Sequence, residues 1–371
     1  MKSVRFALGM ASVCVPLAAM AQGSVQIGGQ IKVGVDAVSY SGARDARGRV
    51  IRASGSRLTD NSSYMYFKGE EDLGGDLRAF FHLENGFAAD SGDPGSPRFY
   101  AVGLKHPAWG RILLGKWSTY FASDSMLTPG GIGDAGPYAS GTLNLLGPIG
   151  KRGQYFSGGF LSNTVRYDSP NWAGLTVAAA YSFDTEATGQ SSHRTLNLNP
   201  VYVSGPMTVY LNVLHRQHQP NAAGNFNTDY DQLAVRAGAG YDFGNGLKIA
   251  MLWDRNRVEG NAIAGGKLVR DAWAIPVRYR LRQHQFSVTY GQALAYKTAG
   301  ATTPDTGAKM FSIGYEYALS RRTALAANFS TVRNQARAAY DFWQPSNTLP
   351  VSATTTGFTS RYTYLGMKHV F

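Results

Sequence analysis

The chain has 371 residues, with 36 Lys and Arg against 24 Asp and Glu, a formal charge of +12, and a single Cys. A basic balance admits nucleic-acid or anionic-lipid partners, but these basic residues are dispersed through alternating segments rather than gathered in one arm, which argues against nucleic acid. Glycine, 44 residues against a usual share of about 7%, and 12% aromatics favour strands and tight turns, and no run of about 20 apolar residues offers a transmembrane helix.

The first residues read as a targeting segment. Lys2 and Arg5 give a positive start, Phe6 to Ala19 is apolar but short and contains Pro16, and Ala19-Met20-Ala21 supplies small residues around a cleavage point. Residues 1–21 are therefore expected to be a signal peptide and residues 22–371 one β-domain, beginning at Gln22. Lys2 and Arg5 are the only ionised side chains removed, so the charge falls from +12 to +10. Cys14 goes with them, which leaves an exported chain free of wrong disulfides. A lipoprotein reading of Cys14 fails on the preceding Ala11-Ser12-Val13, which lacks the usual leucine.

Beyond this segment, two-residue alternation recurs to the end. Leu77, Ala79, Phe81 and Leu83 oppose Arg78, Phe80, His82 and Glu84; Leu247, Ile249, Met251 and Trp253 oppose Lys248, Ala250, Leu252 and Asp254. Phe311, Ile313, Tyr315, Tyr317 and Leu319 oppose Ser312, Gly314, Glu316 and Ala318. Each segment of about ten residues has one apolar and one mixed face, the length a tilted strand needs to cross a bilayer. The slightly negative mean hydropathy is no objection, because such strands give alternate residues to a polar lumen.

Connections alternate between short and long. Short turns are expected at 72–76, 107–110, 171–174, 204–206, 244–246, 282–284 and 320–322. Long polar stretches are expected near 38–62, 84–98, 118–150, 184–195, 215–231, 254–271, 291–309 and 331–360. Seven short and eight long connections separate sixteen strands. An even antiparallel transmembrane β-barrel has this rhythm, and sixteen strands leave room for an aqueous channel. A soluble β-sandwich would explain the alternation but not the leader, the loop rhythm and the terminal aromatic together.

In Val277-Arg278-Tyr279-Arg280-Leu281-Arg282 the arginines take one face and the apolar residues the other. Lipid exposure would cost about 2–4 kcal/mol per charge at midplane, so the lumen is their expected side. Pro276, just before them, cannot donate to a ladder and predicts a bulge or a strand end. The chain stops on an alternating strand, with Leu365, Met367, His369 and Phe371 on one side, which suits a barrel-closing strand with its last ring at the lipid interface.

Several signals carry little. His215 and His218 fall in an expected loop without zinc-site company, and the loop acids Asp93 and Asp305 lack an EF-hand frame. No nucleophile elbow, Walker loop or dinucleotide motif is present, so no catalytic residue, cofactor or metal is assigned. The many Tyr and Trp residues fit interface girdles.

Particular stretches resemble the general porins of Gram-negative outer membranes, especially the betaproteobacterial type. Phe67-Lys68-Gly69-Glu70-Glu71-Asp72-Leu73-Gly74-Gly75 with Leu77-Arg78-Ala79 is similar to that family's second strand, tight turn and third strand. Leu83-Glu84-Asn85-Gly86-Phe87, Val102-Gly103-Leu104, Gly110 to Lys116, Val165 to Leu175 and Leu365 to Phe371 resemble further family segments. The resemblance implies a homotrimer of sixteen-stranded barrels, an inward-folded third loop, passive diffusion of small hydrophilic solutes and no catalysis. It also implies a basic wall ladder facing acids on that loop. Lys116 and Arg152 stand where the family has arginine, whereas Ser63-Tyr64 replaces its Ser-Arg, putting Tyr64 at one rung.

The candidate inward loop, 118–150, carries Asp124 and Asp134 as its only acids, with Gly130, Gly131, Gly133 and Gly136 to let it fold tightly. Arg78, Lys116, Arg152, Arg166 and Arg236 fall at lumen-type positions with Arg278, Arg280 and Arg282. The expected wall is cationic and favours anions. Expected partners are outer-membrane lipid and lipopolysaccharide, small solutes and anions, and the barrel-assembly machinery through the strand ending at Phe371. A substrate-selective channel with a saturable site is the first rival; a barrel enzyme and a surface adhesin are the others.

Overall fold

Sixteen antiparallel strands follow one another around a closed ring in the computed structural model. It describes residues 24–44, 48–119, 141–152, 154–155, 157, 159–183, 194–218, 230–261, 263–342 and 355–371. The expected signal peptide lies outside the described residues. The strands are β1 (Ser24–Arg44), β2 (Val50–Asp60 continued by Ser63–Gly74), β3 (Leu77–Phe87), β4 (Pro94–His106), β5 (Gly110–Thr119) and β6 (Gly159–Asp168). Next come β7 (Leu175–Ser182), β8 (Arg194–Ser204), β9 (Met207–His218), β10 (Tyr230–Asp242) and β11 (Leu247–Glu259). The ring ends with β12 (Lys267–Leu281), β13 (His284–Ala293), β14 (Ala308–Ala318), β15 (Thr323–Asn334) and β16 (Thr359–Val370).

Closure is direct. β16 runs antiparallel to β1 from Gln30↔Val370 to Ser41↔Thr359, and the backbones of Gly29 and Phe371 exchange hydrogen bonds at 3.2 Å in both directions. A Cβ on Gly29 would sit 2.3 Å from the Tyr64 carbonyl oxygen and 2.9 Å from the Phe371 ring, so the close approach of the neighbouring strand, β2, requires glycine there. A closed ladder leaves no edge, the condition for crossing a bilayer with strands.

All seven expected short turns join strands at one end of the barrel. Several opposite connections are shorter than their polarity suggests, because strands extend into them: residues 38–44 belong to β1, 50–60 to β2 and 254–259 to β11; the one expected at 118–150 instead extends to β6 at Gly159. His215 and His218 likewise lie in β9, not in a loop. Polar residues at lumen-facing or rim positions look like loop to a composition rule.

Two irregularities set the facing of side chains. β2 breaks at Asn61-Ser62, where Ser62 has φ 74° and the Asp60 carboxylate accepts the Ser62 N–H at 2.8 Å. The break shifts the alternation by one residue, so that Leu58 faces out before it and Met65 and Phe67 after it, while Arg57 and Tyr64 both face in. Pro276 makes neither a bulge nor a strand end. Its missing N–H interrupts the ladder to β11 between Ile249↔Val277 and Leu252↔Ala274, which resumes in the same register, and the ladder to β13 stays unbroken.

Outward positions are exposed and apolar on strand after strand, as with Ile27, Ile31 and Val35, Leu196 and Leu198, or Phe311 and Ile313. Near the short-turn end they become aromatic: Tyr202, Tyr241, Phe243, Tyr279, Phe286 and Tyr315. That is the lipid-facing band with a ring girdle at one interface. Inward positions are mixed, small or polar on some strands and aromatic or charged on others.

Candidate pore lining and its charge

The inner surface has two characters. On β11–β15 the inward residues Ala250, Leu252, Ala272, Ala274, Ala293, Ala308, Ala324 and Ala326 are buried, together with Leu145 and Leu146 of the long connection after β5 and Ala338, Tyr340 and Phe342 after β15. These two connections are knitted together. The Arg152 N–H donates to the Ala339 carbonyl at 3.0 Å, Ala339 N–H to Gly150 at 2.8 Å, and Gly150 N–H to the Tyr340 hydroxyl at 2.9 Å.

Beneath them lies a fully buried charge group. Asp254 of β11 receives Arg236 Nε of β10 at 2.9 Å and Arg270 Nη1 of β12 at 2.7 Å, and all three side chains have zero exposure. The Gly147 N–H donates to the same carboxylate at 3.2 Å, and Asn256 Nδ2 donates to the Gly147 carbonyl at 2.5 Å. Burial of charge is tolerable only with such pairing, and here the pairing also ties residues 141–150 to the wall. Arg236 thus lies on the inner side of the wall but is covered and paired.

The other half, β2–β6, presents rings and charges. Tyr66, His82, Phe99, Trp117 and Phe160 form a chain of ring contacts with centroids 4.5–5.7 Å apart. Arg98 crosses it, 4.5 Å from the Tyr64 ring and 5.4 Å from Phe160, with Nε 3.0 Å from Glu84 and Nη1 donating to Ser62 Oγ at 2.9 Å. Tyr64, at the rung where the family has arginine, is therefore stacked against an arginine from β4. Towards the short turns, Arg166 Nε donates to Asp168 at 2.7 Å and its Nη1 to the Ser118 carbonyl at 2.9 Å. Arg78 stands half-exposed, 3.6 Å from Glu70.

The arginine series of β12 divides. Arg278 is opposite Lys248 and Ser287 on the inner face, and Arg280 donates to Gln285 Oε1 at 2.7 Å. Arg282 sits in the tight turn with φ 54°, so it marks the rim and not a third rung. Lys116 pairs with Tyr100 and shares the outward side of Leu114, its ammonium donating to Ser162 Oγ at 3.1 Å; Leu113 and Trp117 face in. Parity with Ile112 and Leu114 already carried that facing, against the family position. Arg152 lies among the knitted connections, near Asp341, whose carboxyl is pushed up by burial against the pull of Tyr40, Ser360 and Arg152. Asp124 and Asp134 lie outside the described residues.

Residues absent from the sequence-based set are Arg98, Lys105, Arg111, Lys248 and Arg270, all inward. Arg111 precedes the outward Ile112 and Leu114, so period two alone could have selected it. Among the described residues no group of three or more His, Cys, Asp or Glu could hold a metal ion, and no helix is long and apolar enough to cross a membrane.

A family model described as Gram-negative porin matches residues 7–337. Outer membrane porin protein 32 of Delftia acidovorans is 28% identical over 329 residues, 86% of each chain. Major outer membrane protein P.IB of Neisseria gonorrhoeae is 31% identical over 201 residues, 53% of each chain. The structure of the anion-selective porin from Comamonas acidovorans superposes with a TM-score of 0.70 at 22% identity, covering 94% of this chain and all of that one.

Proposed function

The chain belongs to the Gram-negative porin family, a barrel of the outer membrane that passes small solutes by passive diffusion, and from that membership we propose an anion-preferring pore narrowed by its third loop. The carrying observation is the sign of the inner wall. Arg78, Lys105 and Arg111 stand abreast on β3–β5, and Lys248 and Arg278 abreast on β11–β12. A water-filled passage between low-dielectric walls strengthens such fixed charges, attracting anions to the mouth and along the wall without any reacting group. The related Comamonas protein is described as anion-selective, which supports the same direction.

In this reading the connection after β5 is the constriction. Its returning limb, residues 141–150, is hydrogen-bonded to Asp254 and Asn256 of the wall, and Asp124 and Asp134, which lie outside the described residues, are the acids proposed to meet the cationic wall. Arg78, Arg166, Arg278 and Arg280 line the passage with Tyr64, Arg152 closes its upper side, and Arg282 lies at the exit. Residues 1–21 direct export, three copies assemble, lipopolysaccharide surrounds the outer rim, and the Phe371 strand addresses the assembly machinery. Reversal potentials in a planar bilayer with a KCl gradient test the reading. Chloride is expected to be favoured over potassium; a cation-selective potential overturns the preference, and absence of conductance overturns the pore.

A further inference from the structure

The short-turn ends of β2–β6 hold an arrangement that a general pore does not require. Register sets Asp72, Arg78, Lys105, Arg111 and Asp168 directly opposite one another across five neighbouring strands, on the inner face. Three cations therefore stand side by side at a strand spacing of about 4.8 Å. Like charges directly opposite are unfavourable, so such a row needs counter-charge.

The protein supplies only part of it. Glu70 pairs with Lys105 and, at 3.6 Å, with Arg78. Asp168 takes both Arg111 and Arg166. Four cations thus share two carboxylates in ion pairs, with Asp76 a further acid on the border of the cavity they enclose. Asp72 spends its carboxylate on the turn, accepting the Gly74 N–H at 2.8 Å. Between these groups opens a cavity of about 470 Å³ bordered by Arg78, Lys105, Arg111, Asp168, His106 and Asp76. Arg111 is fixed in place by Phe80 and Trp117, whose ring centroids lie 5.6 and 5.3 Å from its guanidinium carbon. Arg78 and Lys105 keep half and a third of their side chains exposed and can reach inward.

We propose that this cavity is a saturable site for a compact doubly charged oxyanion of the phosphate class, at the short-turn mouth of the pore. Arg111 turns its Nε–Nη2 edge to Asp168 Oδ2, so the N–H groups on its other side, with the neighbouring ammonium and a second guanidinium, form the shell a compact oxyanion would meet, where a single chloride would satisfy one donor. The proposal rests on the pore reading, since the site opens into the lumen.

Hydrogen phosphate, titrated at constant ionic strength on the short-turn side of single channels carrying chloride current, gives the test. The wild-type current should fall saturably, and in K105Q/R111Q the half-blocking concentration should rise about tenfold or more, as two charge-assisted contacts are lost. Each carboxylate keeps a partner in that variant, Arg78 for Glu70 and Arg166 for Asp168. Should the variant fail to insert, K105Q is used alone, and equilibrium dialysis of phosphate against detergent-solubilised protein gives the same comparison. R278Q removes a charge from the other wall and should shift the half-blocking concentration by about twofold at most. Undiminished chloride current at all phosphate concentrations, or an equal shift in R278Q, overturns the site while the pore stands. Absence of current in KCl is a separate result and defeats the pore itself.

Discussion

The inner faces of β2–β6 and of β11–β15 obey the same alternation and carry opposite chemistry. Midway along β11–β15 many inward residues are alanine, and Ser312 and Ser330 share a hydrogen bond at 2.8 Å, where other parts of the chain lie over them; Lys248 and Arg278, nearer the short turns, lie outside that buried cluster. On β2–β6 they are Tyr64, Tyr66, Arg78, His82, Lys105, Arg111 and Trp117, long side chains that pack against one another or pair with carboxylates and stay partly exposed. Small inward residues thus mark the wall that the chain covers, and long charged or aromatic ones mark the wall left to water. The same contrast divides the arginines. Arg236 and Arg270, with zero exposure, share the Asp254 carboxylate, whereas Arg78 is half-exposed and Arg278 lies outside the buried cluster.

The strongest way to break this comparison is at Asp254. Replacing it with Asn leaves two buried guanidinium groups without their shared carboxylate, and stability should fall by about 3–5 kcal/mol. Heat-modified gel mobility of the folded barrel reads the loss. An unchanged melting point would mean that the covered wall is not held by this group. On the water-facing side the expectation reverses. K248Q/R278Q should leave the melting temperature nearly where it was and lower the chloride-to-potassium permeability ratio by about twofold or more. A large stability loss without a selectivity change would erase the distinction between the walls.

The smallest effect concerns pH and the connection after β15. Burial raises the Asp341 carboxyl above the ordinary carboxylate range, while the Tyr40 hydroxyl donates to it at 2.8 Å and Ser360 Oγ at 2.8 Å. The folded protein therefore holds that proton more tightly than the unfolded chain. The contribution is fully present below the ordinary carboxylate value and is lost as pH rises through the raised one. Residues 335–342 should consequently be gripped more firmly as pH falls through that window, and D341N should lack this dependence. Limited proteolysis at matched pH values checks both; looser seating in acid for wild type alone would contradict the sign.

Much of the barrel was legible because its signals are local. Strands announce themselves by period two, and turns by residues such as Gly74-Gly75 and Gly244-Asn245-Gly246 that tolerate the necessary backbone angles. Loop lengths were overestimated since polarity alone cannot separate an outer loop from a strand whose inward residues are polar, as at 254–259. Within the pore set, parity was the dependable guide and family position the weaker one. Arg278 and Arg280 follow their alternation inward, while Lys116, placed by resemblance, follows Leu114 outward. The break at Asn61-Ser62 changes parity within one strand, so Arg57 and Tyr64 could not both be assigned by counting.

The sequence by itself determined the number of strands, their order, their antiparallel sense and which residues meet lipid, because each follows from side-chain direction along an extended chain and from the cost of charge in hydrocarbon. Only the tertiary structure decided which inward residues see water. Arg236 and Arg78 are equivalent by local pattern, yet one is sealed beneath Gly147 and shares Asp254 with Arg270, and the other lines an open cavity. That difference depends on where residues more than 60 positions away in the chain come to rest, and ring closure with long-range packing, not local periodicity, sets it.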